Sequence, residues 1–430
     1  MYIVKKYIFF VYNIGNITGL HQYMYSKMQF LKENGWEIII FSSRGGNILI
    51  QDFKKYADKV YPAMLFTPMY NKKSYVNSII EKIIADINYN KDEQIIIEST
   101  NAYCAVWAEM IASRLRCKNF IYLVQETHKY GANMKRFLKY KFGKCELAGI
   151  TKQSVFQMFP GEMIREQEEA TWTAVHKNVI DNCEDTLSHL LDTTADYTLG
   201  TFGRLSKPYL PFVIKSFLRY VQQNHNKRYN IVIIGGDERK EIEEIKMTAI
   251  RNSFCNCHNV NLIFTGNVYP VPLSFVKKIN VFVSSAGSAY ATYHKGIPTI
   301  MVNPTNGEPV GVMGLDFDPT QRNWFESVEG MIIGDCIDKI LSNNDQIKYT
   351  NNSDNETYAR MNNEFQRQLR IASTNYNIGY YDEKQLLKIE SLTQPKHAYF
   401  YMLIHILGNE RSLLVMSLWK RIKYKILNTI

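Results

Sequence analysis

Two cations, Arg204 and Lys207, lie three residues apart directly after an apolar segment that ends at Phe202. A guanidinium and an ammonium at this spacing can bind a pyrophosphate, because both donate charge-assisted hydrogen bonds to phosphate oxygens. If the apolar segment is a strand of a parallel sheet, both cations follow its carboxyl end, where such sheets bind ligands. Solvated surface cations are the alternative. The sequence therefore predicts a pyrophosphate-binding pair here.

Two segments rich in glycine and other small residues precede predicted helices. Gly15–Gly19 follows the first predicted strand, and Ser284–Ala291 follows a later one. Free backbone N–H groups at a helix N-terminus bind anions, so both loops are candidates for phosphate or sugar binding. A tight turn or close packing without a ligand would also explain them, and their spacing is not that of a dinucleotide fingerprint. We call the phosphate- or sugar-containing ligand the donor. The residues predicted to bind it are Gly15, Asn16, Thr18, Gly19, Arg204, Lys207, Gly236, Gly287, Ser288, Ala289 and Glu308.

Carboxylate and imidazole groups follow predicted strands at two places. Glu126 and His128 come after an apolar run, where either group could act on an acceptor hydroxyl in acid–base catalysis. Glu308 lies in a loop after another strand, where a carboxylate suits ribose or sugar hydroxyls. Each of these residues could instead cap a helix or make a structural hydrogen bond. We predict Glu126 and His128 as the catalytic candidates.

Short apolar runs alternate with helix-length segments in two successive series, which is typical of parallel sheets covered by helices. The predicted strands are 7–12, 37–42, 94–98, 120–125 and 173–179, then 197–202, 230–234, 261–265, 281–285 and 299–302. The predicted helices are 20–34, 211–223, 238–251, 289–294 and 356–371. We therefore expect an α/β protein with a domain at 1–190, a second at 196–350, a hinge near 181–196, and helices with a basic tail at 356–430.

The composition limits the class of protein and its partners. With 430 residues, 46% hydrophobic and 21% charged, the chain is typical of globular proteins of more than one domain. A net charge of +10 favours anionic partners. The seven cysteines are too sparse for a disulfide scaffold, which indicates a reducing compartment. No RNA-binding motif is present, so we expect no nucleic-acid partner, and we expect no metal site.

Two segments concentrate positive charge. The first, 129–144, interleaves lysines and arginine with aromatic residues and has no acid; the second, 397–430, is apolar at first and has no acid after Glu410. Such segments suit lipid headgroups or a lipid-linked phosphate. The alternative is a solvated face for 129–144 and a helix that packs on its own protein for 397–430. No run reaches the roughly 20 apolar residues that cross a bilayer. We expect a cytoplasmic protein, with an anionic membrane surface at the inner face of the cell membrane as a partner to be tested.

Taken together, these segments resemble the GT-B glycosyltransferases, specifically the bacterial polysaccharide enzymes of family 4, also called glycosyl transferases group 1. The resemblance covers about residues 1–315 and the later helices. Family members have a Gly-rich loop after strand 1, matched by Gly15–Gly19. They also have an Arg and a Lys after the first strand of the second domain, matched by Arg204 and Lys207, which contact the donor pyrophosphate. The resemblance implies the GT-B fold: two Rossmann-like domains facing across a cleft, with extra C-terminal helices.

In that family the C-terminal domain mainly holds the nucleotide-sugar and the N-terminal domain mainly the acceptor. A histidine or acidic residue at the edge of the first domain often lies near the reacting sugar, which is the role the resemblance implies for His128 or Glu126. Retaining members have two glutamates, separated by seven residues, before a Gly-x-Pro; here those positions are Val283 and Ala291. Glu308 is a candidate for a displaced carboxylate. Retention or inversion is left open.

The resemblance implies a hexosyl- or related glycosyltransferase that needs no metal and no cofactor other than a nucleoside-diphosphate sugar as co-substrate. It implies transfer to a glycan or polyprenyl-linked acceptor in the synthesis of capsule, O-antigen or exopolysaccharide. Two alternatives stay open. A sugar-nucleotide epimerase would bind the same donor without an acceptor. A non-catalytic GT-B-like partner of a polysaccharide assembly complex would fit the missing glutamates.

Overall fold

The chain folds into two compact α/β units. Unit 1 comprises Met1–His176 and Tyr358–Ile430, and unit 2 comprises Lys177–Thr357. The computed structural model describes residues 4–14, 18–44, 53–63, 68, 71–122, 130–149, 159, 172–173, 178–237, 240–319, 326–349, 354–373 and 379–389, with the single residues 403, 406, 407, 411, 415 and 418. The predicted residues Gly15, Asn16, Glu126 and His128 lie outside the described residues.

Among the described residues, unit 1 has a sheet of seven parallel strands. These are β1 (Lys5–Asn13), β2 (Trp36–Arg44), β3 (Lys59–Pro62), β4 (Gln94–Ser99), β5 (Lys118–Tyr122), β6 (Leu147–Gly149) and β7 (Trp172–Thr173). Their spatial order is β3-β2-β1-β4-β5-β6-β7, and every pairing is parallel. Successive connections diverge between β1 and β4, the switch point of a doubly wound sheet, beside which such sheets bind ligands.

Helices connect and cover these strands. They are α1 (Gly19–Glu33), α2 (Phe53–Tyr56), α3 (Lys73–Ile87), α4 (Ala102–Leu115) and α5 (Ala132–Gly143). The predicted helix 20–34 is confirmed as α1, whose buried residues recur at helical spacing. It stops where Gly35 takes a φ of +75°, a conformation that glycine adopts without the penalty of a Cβ.

The described part of unit 2 contains a six-stranded sheet and a small two-stranded one. Its strands are β8 (Ile180–Asp181), β9 (Tyr197–Phe202), β10 (Tyr229–Ile234), β11 (Val260–Gly266), β12 (Val271–Pro272), β13 (Val281–Ser284), β14 (Thr299–Val302) and β15 (Pro309–Val312). The large sheet has the order β11-β10-β9-β13-β14-β15, with only β15 antiparallel; β8 pairs with β12. The strands predicted for the second series are confirmed within one residue at each end.

The helices of unit 2 follow its strands. They are α6 (Leu210–Gln223), α7 (Lys240–Ser253), α8 (Leu273–Val276), α9 (Ala286–Tyr293) and α10 (Ile333–Asn343). Short 3-10 turns occupy Ser188–Leu190 and Asn344–Gln346. Strand β10 is buried along its whole length, as expected for a central strand covered on both faces.

The chain then returns to unit 1 through α11 (Asp354–Ser373), followed by α12 (Glu383–Leu386). Met361, Phe365 and Gln368 of α11 are buried. The ring of Phe365 lies 5.2 Å from that of Phe30 of α1, and Lys118 Nζ donates to the carbonyl of Ile371 at 2.6 Å. The helix predicted at 356–371 is therefore confirmed, and it contributes to the interior of unit 1.

A polar cluster lies inside unit 1, beneath α11. Lys27 of α1 forms a fully buried ion pair with Glu98 of β4, and Gln368 hydrogen-bonds to both groups, donating to Glu98 Oε2 at 3.1 Å. Tyr7 donates to Gln368 Oε1 at 3.1 Å, and Lys27 donates to Tyr23 Oη at 2.8 Å. Burial lowers the pKa of Lys27 from its ordinary value, although Glu98 opposes the shift.

A second buried charge cluster corrects one expectation. Lys141, one of the basic residues of the segment 129–144, is not on a lipid-facing or solvated face: it is 1% exposed and paired with Glu109, at 2.9 Å, and with Glu146. Burial opposes its charge, but the two carboxylates outweigh that effect and raise the pKa of Lys141. Helical spacing turns Lys141 inward with Phe137 and Phe142, so a run of basic residues does not share one face.

Among the described residues no helix is long and apolar enough to span a bilayer.

Candidate functional site

Three loops meet at one edge of the large sheet in unit 2, where β9, β10 and β13 end side by side. The carbonyl of Phe202, the last residue of β9, accepts hydrogen bonds from Ser284 Oγ at 2.7 Å and from Tyr209 Oη at 2.9 Å. Ser284 ends β13, so this carbonyl ties the loop after β9 to the loop after β13. The carboxyl ends of these strands thus lie side by side at one edge, which is where open α/β sheets bind ligands.

The loop after β9 carries the two predicted cations on a single turn. The N–H of Lys207 donates to the carbonyl of Arg204 at 3.0 Å, which keeps both residues together. The Lys207 side chain is exposed, yet the protein around its ammonium partly desolvates it, and the guanidinium of Arg204 repels it; both effects lower the pKa of Lys207. Two like charges held this close would be stabilised by a bound anion.

The loop after β10 supports the cation-bearing turn through close backbone packing. Gly235 has a φ of +120°, and a Cβ at this position would lie 2.4 Å from the carbonyl oxygen of Gly203. Gly236 is buried: its carbonyl accepts from Leu205 N–H at 3.1 Å, and its N–H donates to Asn267 Oδ1 at 3.2 Å. Gly236, predicted as a donor-binding residue, therefore lies beneath the turn and fixes its position.

Lysine 246 holds the same turn from the side. Lys246 Nζ, on α7, donates to the carbonyl of Leu205 at 2.9 Å. Desolvation lowers the pKa of Lys246, although the charge of Asp237 opposes this shift. The sequence gives no signal for this contact, because Lys246 lies on a helix about 40 residues after the loop that it contacts.

The N-terminus of α9 lies at the same edge, directly after β13. Ser285 is the N-cap residue, but its side chain makes no capping hydrogen bond. It is 4% exposed, and within the described part of the chain its Oγ has no hydrogen-bond partner. Ala286, with a φ of +49°, turns the chain sharply into the helix. A buried hydroxyl without a partner, beside free helix N–H groups, is an arrangement that an anion would satisfy.

Gly287, Ser288 and Ala289 form the first turn of α9, as part of the predicted small-residue loop. Gly287 is exposed, and a Cβ at this position would meet no atom of the described residues within 4 Å, so these residues leave space in front of the helix. Ala289 is buried and packs inward. Ser285 lies within the predicted loop Ser284–Ala291 but was not among the residues selected from it; its place as the last small polar residue before a helix was the signal that could have identified it.

The loop after β14 places Glu308 at the same edge. Gly307, with a φ of +78°, approaches α6 so closely that a Cβ would lie 2.8 Å from the carbonyl of Tyr209. The exposed carboxylate of Glu308 accepts from Asn306 Nδ2 at 2.7 Å and from Ser327 Oγ at 2.8 Å. These contacts orient the carboxylate and leave it accessible to hydroxyl groups of a ligand.

In unit 1, the described part of the predicted Gly-rich loop is its last two residues. Thr18 is the extended N-cap of α1 and Gly19 its first residue. Thr18 Oγ1 lies 2.7 Å from Nδ1 of His21, a buried histidine that sequence reasoning did not select. Gly15, Asn16, Glu126 and His128 lie outside the described residues, so the predicted acid–base pair stays a prediction.

The structure therefore gathers seven predicted residues at one edge of unit 2. They are Arg204, Lys207, Gly236, Gly287, Ser288, Ala289 and Glu308. The edge combines two cations, the N–H groups of a helix N-terminus, a hydroxyl without a partner and an oriented carboxylate. Such a set suits a ligand that has both phosphate and hydroxyl groups.

Comparison with known proteins establishes the fold. No family model matches the sequence, and no curated protein matches it significantly. A glycosyltransferase from Rickettsia africae ESF-5 superposes with a TM-score of 0.52 at 12% identity, over 94% of this chain and 100% of that one. HepE of Anabaena, solved in complex with UDP, superposes with a TM-score of 0.52 at 11% identity, and the match covers 87% of this chain and 96% of that one.

A TarM variant of S. aureus, solved with UDP and alpha-GlcNAc-glycerol, also gives a TM-score of 0.52, at 10% identity, and the match covers 86% of this chain and 100% of that one. At these identities the likeness concerns the fold alone. Each of the two units is a largely parallel sheet covered by helices, and the chain has the GT-B fold of two Rossmann-like domains.

Proposed function

We propose that this chain is a glycosyltransferase that moves a sugar from a nucleoside-diphosphate sugar to a glycan or lipid-linked acceptor in the synthesis of cell-surface polysaccharide. The observation that carries the proposal is the edge of unit 2, where Arg204 and Lys207 share a turn directly after β9. The last carbonyl of β9, that of Phe202, accepts a hydrogen bond from Ser284, at the end of the strand that leads into α9. That edge offers the charge and the backbone donors that a diphosphate needs. The Glu308 carboxylate adds a hydrogen-bond acceptor for sugar or ribose hydroxyls.

The cations have a role in the chemistry as well as in binding. During transfer the bond between the anomeric carbon and the diphosphate oxygen breaks, and negative charge grows on the departing diphosphate. Arg204, Lys207 and the N-terminus of α9 stabilise that charge, and groups already fixed in position stabilise a transition state most effectively. The acceptor hydroxyl oxygen bonds to the anomeric carbon, and its proton passes to Glu126 or His128, the predicted base of unit 1.

We further propose that these groups perform the role that a metal ion has in other transferases. Asp316 and Asp318 have the spacing of an Asp-x-Asp metal motif. However, Asp316 is the ion-pair partner of Lys339, and its carboxylate also accepts from the N–H of Val312 at 3.3 Å. This carboxylate therefore already has a cationic partner. Transfer that is unchanged by a chelator is the expected result.

Uridine nucleotides are the first donors to test, because HepE and TarM were both solved with UDP. Calorimetric titration of the full chain with UDP and a panel of UDP-sugars should show binding. Arg204→Ala and Lys207→Ala should each weaken it by about 10-fold or more, since a charge-assisted hydrogen bond contributes roughly 1.5–3 kcal/mol. Lys215→Ala, an exposed lysine of α6, is the matched control and should bind as the parent does. Unchanged affinity in both site variants would contradict the proposal.

The absence of the glutamate pair at Val283 and Ala291 favours one second candidate, a non-catalytic GT-B-like partner of a polysaccharide assembly complex. Product analysis separates the candidates. A transferase releases nucleoside diphosphate only when acceptor is present, an epimerase converts the sugar nucleotide without acceptor, and a non-catalytic partner does neither while still binding donor.

A further inference from the structure

A cavity of about 250 Å³ lies in unit 1, at the edge of the sheet where the strands begin. Lys5, Trp36 and Gln94 line it, and they are the first residues of β1, β2 and β4. Lys5 pairs in register with both of the others, so all three side chains lie on one face of the sheet. They form the floor of the cavity.

Helix α11 forms the facing wall. Gln366 and Arg370 line the cavity and are four residues apart, so they lie on the same side of the helix. Asn34, which follows the last residue of α1, contributes a third side. Because β1 rises about 3.3 Å per residue, its other end lies roughly 25 Å from Lys5. The cavity is therefore remote from the carboxyl edge of this sheet.

The lining of the cavity is positively charged. It contains Lys5 and Arg370, and no described residue that lines it is acidic. Lys5 Nζ lies 5.9 Å from the centre of the Trp36 ring, and within the described part of the chain Lys5 has no carboxylate partner. Attraction to an aromatic ring orients an ammonium but does not neutralise it. A ligand with a negative group would supply the counter-charge for Lys5.

The acidic residues next to the cavity have other partners. Glu37, adjacent to Trp36, points to the opposite face of the sheet and accepts from Lys59 Nζ at 2.9 Å. Glu93 accepts from Lys6 Nζ at 2.7 Å. Glu33, the last residue of α1, accepts a hydrogen bond from a tyrosine of α11. None of these contacts brings a carboxylate to Lys5.

Three side-chain amides complete the lining, those of Asn34, Gln94 and Gln366. Asn34 Nδ2 donates to the carbonyl of Phe30 at 2.8 Å, which fixes the orientation of that amide. Neither Gln94 nor Gln366 makes a side-chain hydrogen bond to another described residue. A side-chain amide offers a donor and an acceptor together, which suits the hydroxyl groups of a sugar. The cations suit an oxyanion on the same ligand.

The floor of the cavity is rigid. Trp36 is 4% exposed, and its ring packs edge-on against that of Tyr7 at 5.8 Å. A site whose groups are already ordered loses less entropy when a ligand binds. With about 250 Å³, the cavity is smaller than the pockets that hold drug-sized ligands and suits one monosaccharide unit.

We propose that this cavity binds a single anionic sugar, in which one phosphate or carboxylate group is attached to a ring with free hydroxyl groups. Lys5 and Arg370 would bind the anionic group, and the amides of Gln94 and Gln366 would bind the hydroxyls. Because α11 supplies one wall, the bound sugar would also hold α11 against the strands of unit 1. This site is separate from the donor site of unit 2, so either proposal can fail alone.

The first test is calorimetric titration of the full chain with four probes: glucose 6-phosphate, glucuronate, glucose and inorganic phosphate. We expect the two anionic sugars to bind, and glucose and inorganic phosphate to bind at least about 10-fold more weakly, because each lacks one of the two kinds of contact. Tighter binding of glucose 6-phosphate would identify the ligand class as sugar phosphates. Tighter binding of glucuronate would identify it as uronic acids.

The second test removes the two cations. Lys5→Gln with Arg370→Gln should weaken binding of the preferred anionic sugar by about 10-fold or more, since each removes a charge-assisted hydrogen bond. Lys82→Gln with Arg360→Gln is the matched control, because it removes the same charges from exposed positions on α3 and α11 that do not line the cavity. The control should bind within about twofold of the parent. Circular dichroism shows whether each variant folds, and Lys5→Gln alone tests the site if the double does not.

Hydrogen exchange locates the bound sugar without any substitution. Glucose 6-phosphate should slow exchange of the backbone amides in the last two turns of α11, because their opening would break the ligand contacts. Exchange in the turn of Arg204 and Lys207 should stay unchanged, since the donor site is in unit 2. Slower exchange at that turn instead of α11 would place the phosphate in the donor site and overturn the proposal.

Three further results would overturn the proposal. The first is that neither anionic sugar binds. The second is that glucose or inorganic phosphate binds as tightly as the anionic sugars, which would show that the charge or the hydroxyls make no contact. The third is an equal loss of affinity in the Lys82 and Arg360 control, which would reflect net charge alone.

Discussion

The two units of the chain place their cations differently. In unit 1, Lys6, Lys27 and Lys141 are buried, and each is paired with at least one carboxylate. Among the described residues of unit 2, no lysine or arginine is buried. There, Arg204 and Lys207 lie at the edge of the sheet, on a turn fixed by backbone hydrogen bonds.

This difference separates two uses of charge. Buried ion pairs add little net stability compared with apolar packing, but breaking one is strongly destabilising, so they specify which elements lie together. In unit 1 the pair of Lys27 and Glu98 joins α1 to β4 and, through Gln368, to α11. In unit 2 desolvation and then the charge of Arg204 lower the pKa of Lys207, and a ligand of opposite charge would relieve both effects.

The largest expected effect is that of removing a buried cation. Lys27→Met should lower the free energy of unfolding by about 3–5 kcal/mol, because it leaves Glu98 charged, buried and without its cation. Urea denaturation followed by circular dichroism measures this change.

Lys339→Met is the matched control, since it removes the cation of a partly exposed pair with Asp316 in unit 2. A change of at most about 1 kcal/mol is expected there. Similar losses of unfolding free energy in Lys27→Met and Lys339→Met would show that burial does not make the ion pairs of unit 1 more important for stability than those of unit 2.

An intermediate effect is expected for two glycines of the candidate site. Gly235→Ala should destabilise the chain by about 1–3 kcal/mol, because its φ is positive and its Cβ would collide with the carbonyl of Gly203. Gly287→Ala should leave stability within about 0.5 kcal/mol, since its Cβ would meet no atom of the described part of the chain within 4 Å. It should still weaken UDP binding, because the methyl group occupies the space in front of α9. Thermal unfolding measures the change in stability of each variant, and calorimetry measures its affinity for UDP. Together they show which glycine supports the structure of the site and which one faces the ligand.

The smallest expected effect is a pH dependence of donor binding. Desolvation and the charge of Arg204 lower the pKa of Lys207, so Lys207 loses its proton at a lower pH than an ordinary lysine does. Affinity for UDP should therefore be fully present at neutral pH and fall as pH rises through that lowered pKa. Between about pH 7 and pH 10 we expect a loss of up to about 10-fold, measured by calorimetry.

Lys207→Arg should remove this alkaline loss, since a guanidinium stays protonated throughout that range. An identical decline in the parent and in Lys207→Arg would show that another group titrates.

Local pattern was enough to predict most of the fold. Strands such as β9 and β14 match their predicted ranges, because a central parallel strand is a continuous apolar run bounded by polar residues. The antiparallel strand β15 was not predicted. Its four residues follow a loop rich in proline and asparagine, and only pairing with β14 gives them a strand conformation.

The buried charges show where sequence reasoning stops. Lys27 falls on the inward-facing side of α1 by helical spacing, which indicates burial, but its partner Glu98 comes from β4 and Gln368 from α11. Ser285 shows the same limit of sequence reasoning. Its buried hydroxyl lacks a hydrogen-bond partner among the described residues because of the turn at Ala286, which local pattern does not predict. Periodicity reports which way a side chain points, whereas its partners depend on tertiary contacts.

The return of α11 to unit 1 has a consequence for how the protein is made. Gln368 follows Glu98 by 270 residues, which at roughly 5–20 residues per second is about a quarter of a minute to a minute of translation. All of unit 2 leaves the ribosome in that interval. Unit 1, whose first segment is synthesised before unit 2, is thus the last to complete its interior. Until α11 packs, the ion pair of Lys27 and Glu98 in a nascent chain is accessible to solvent or to a chaperone.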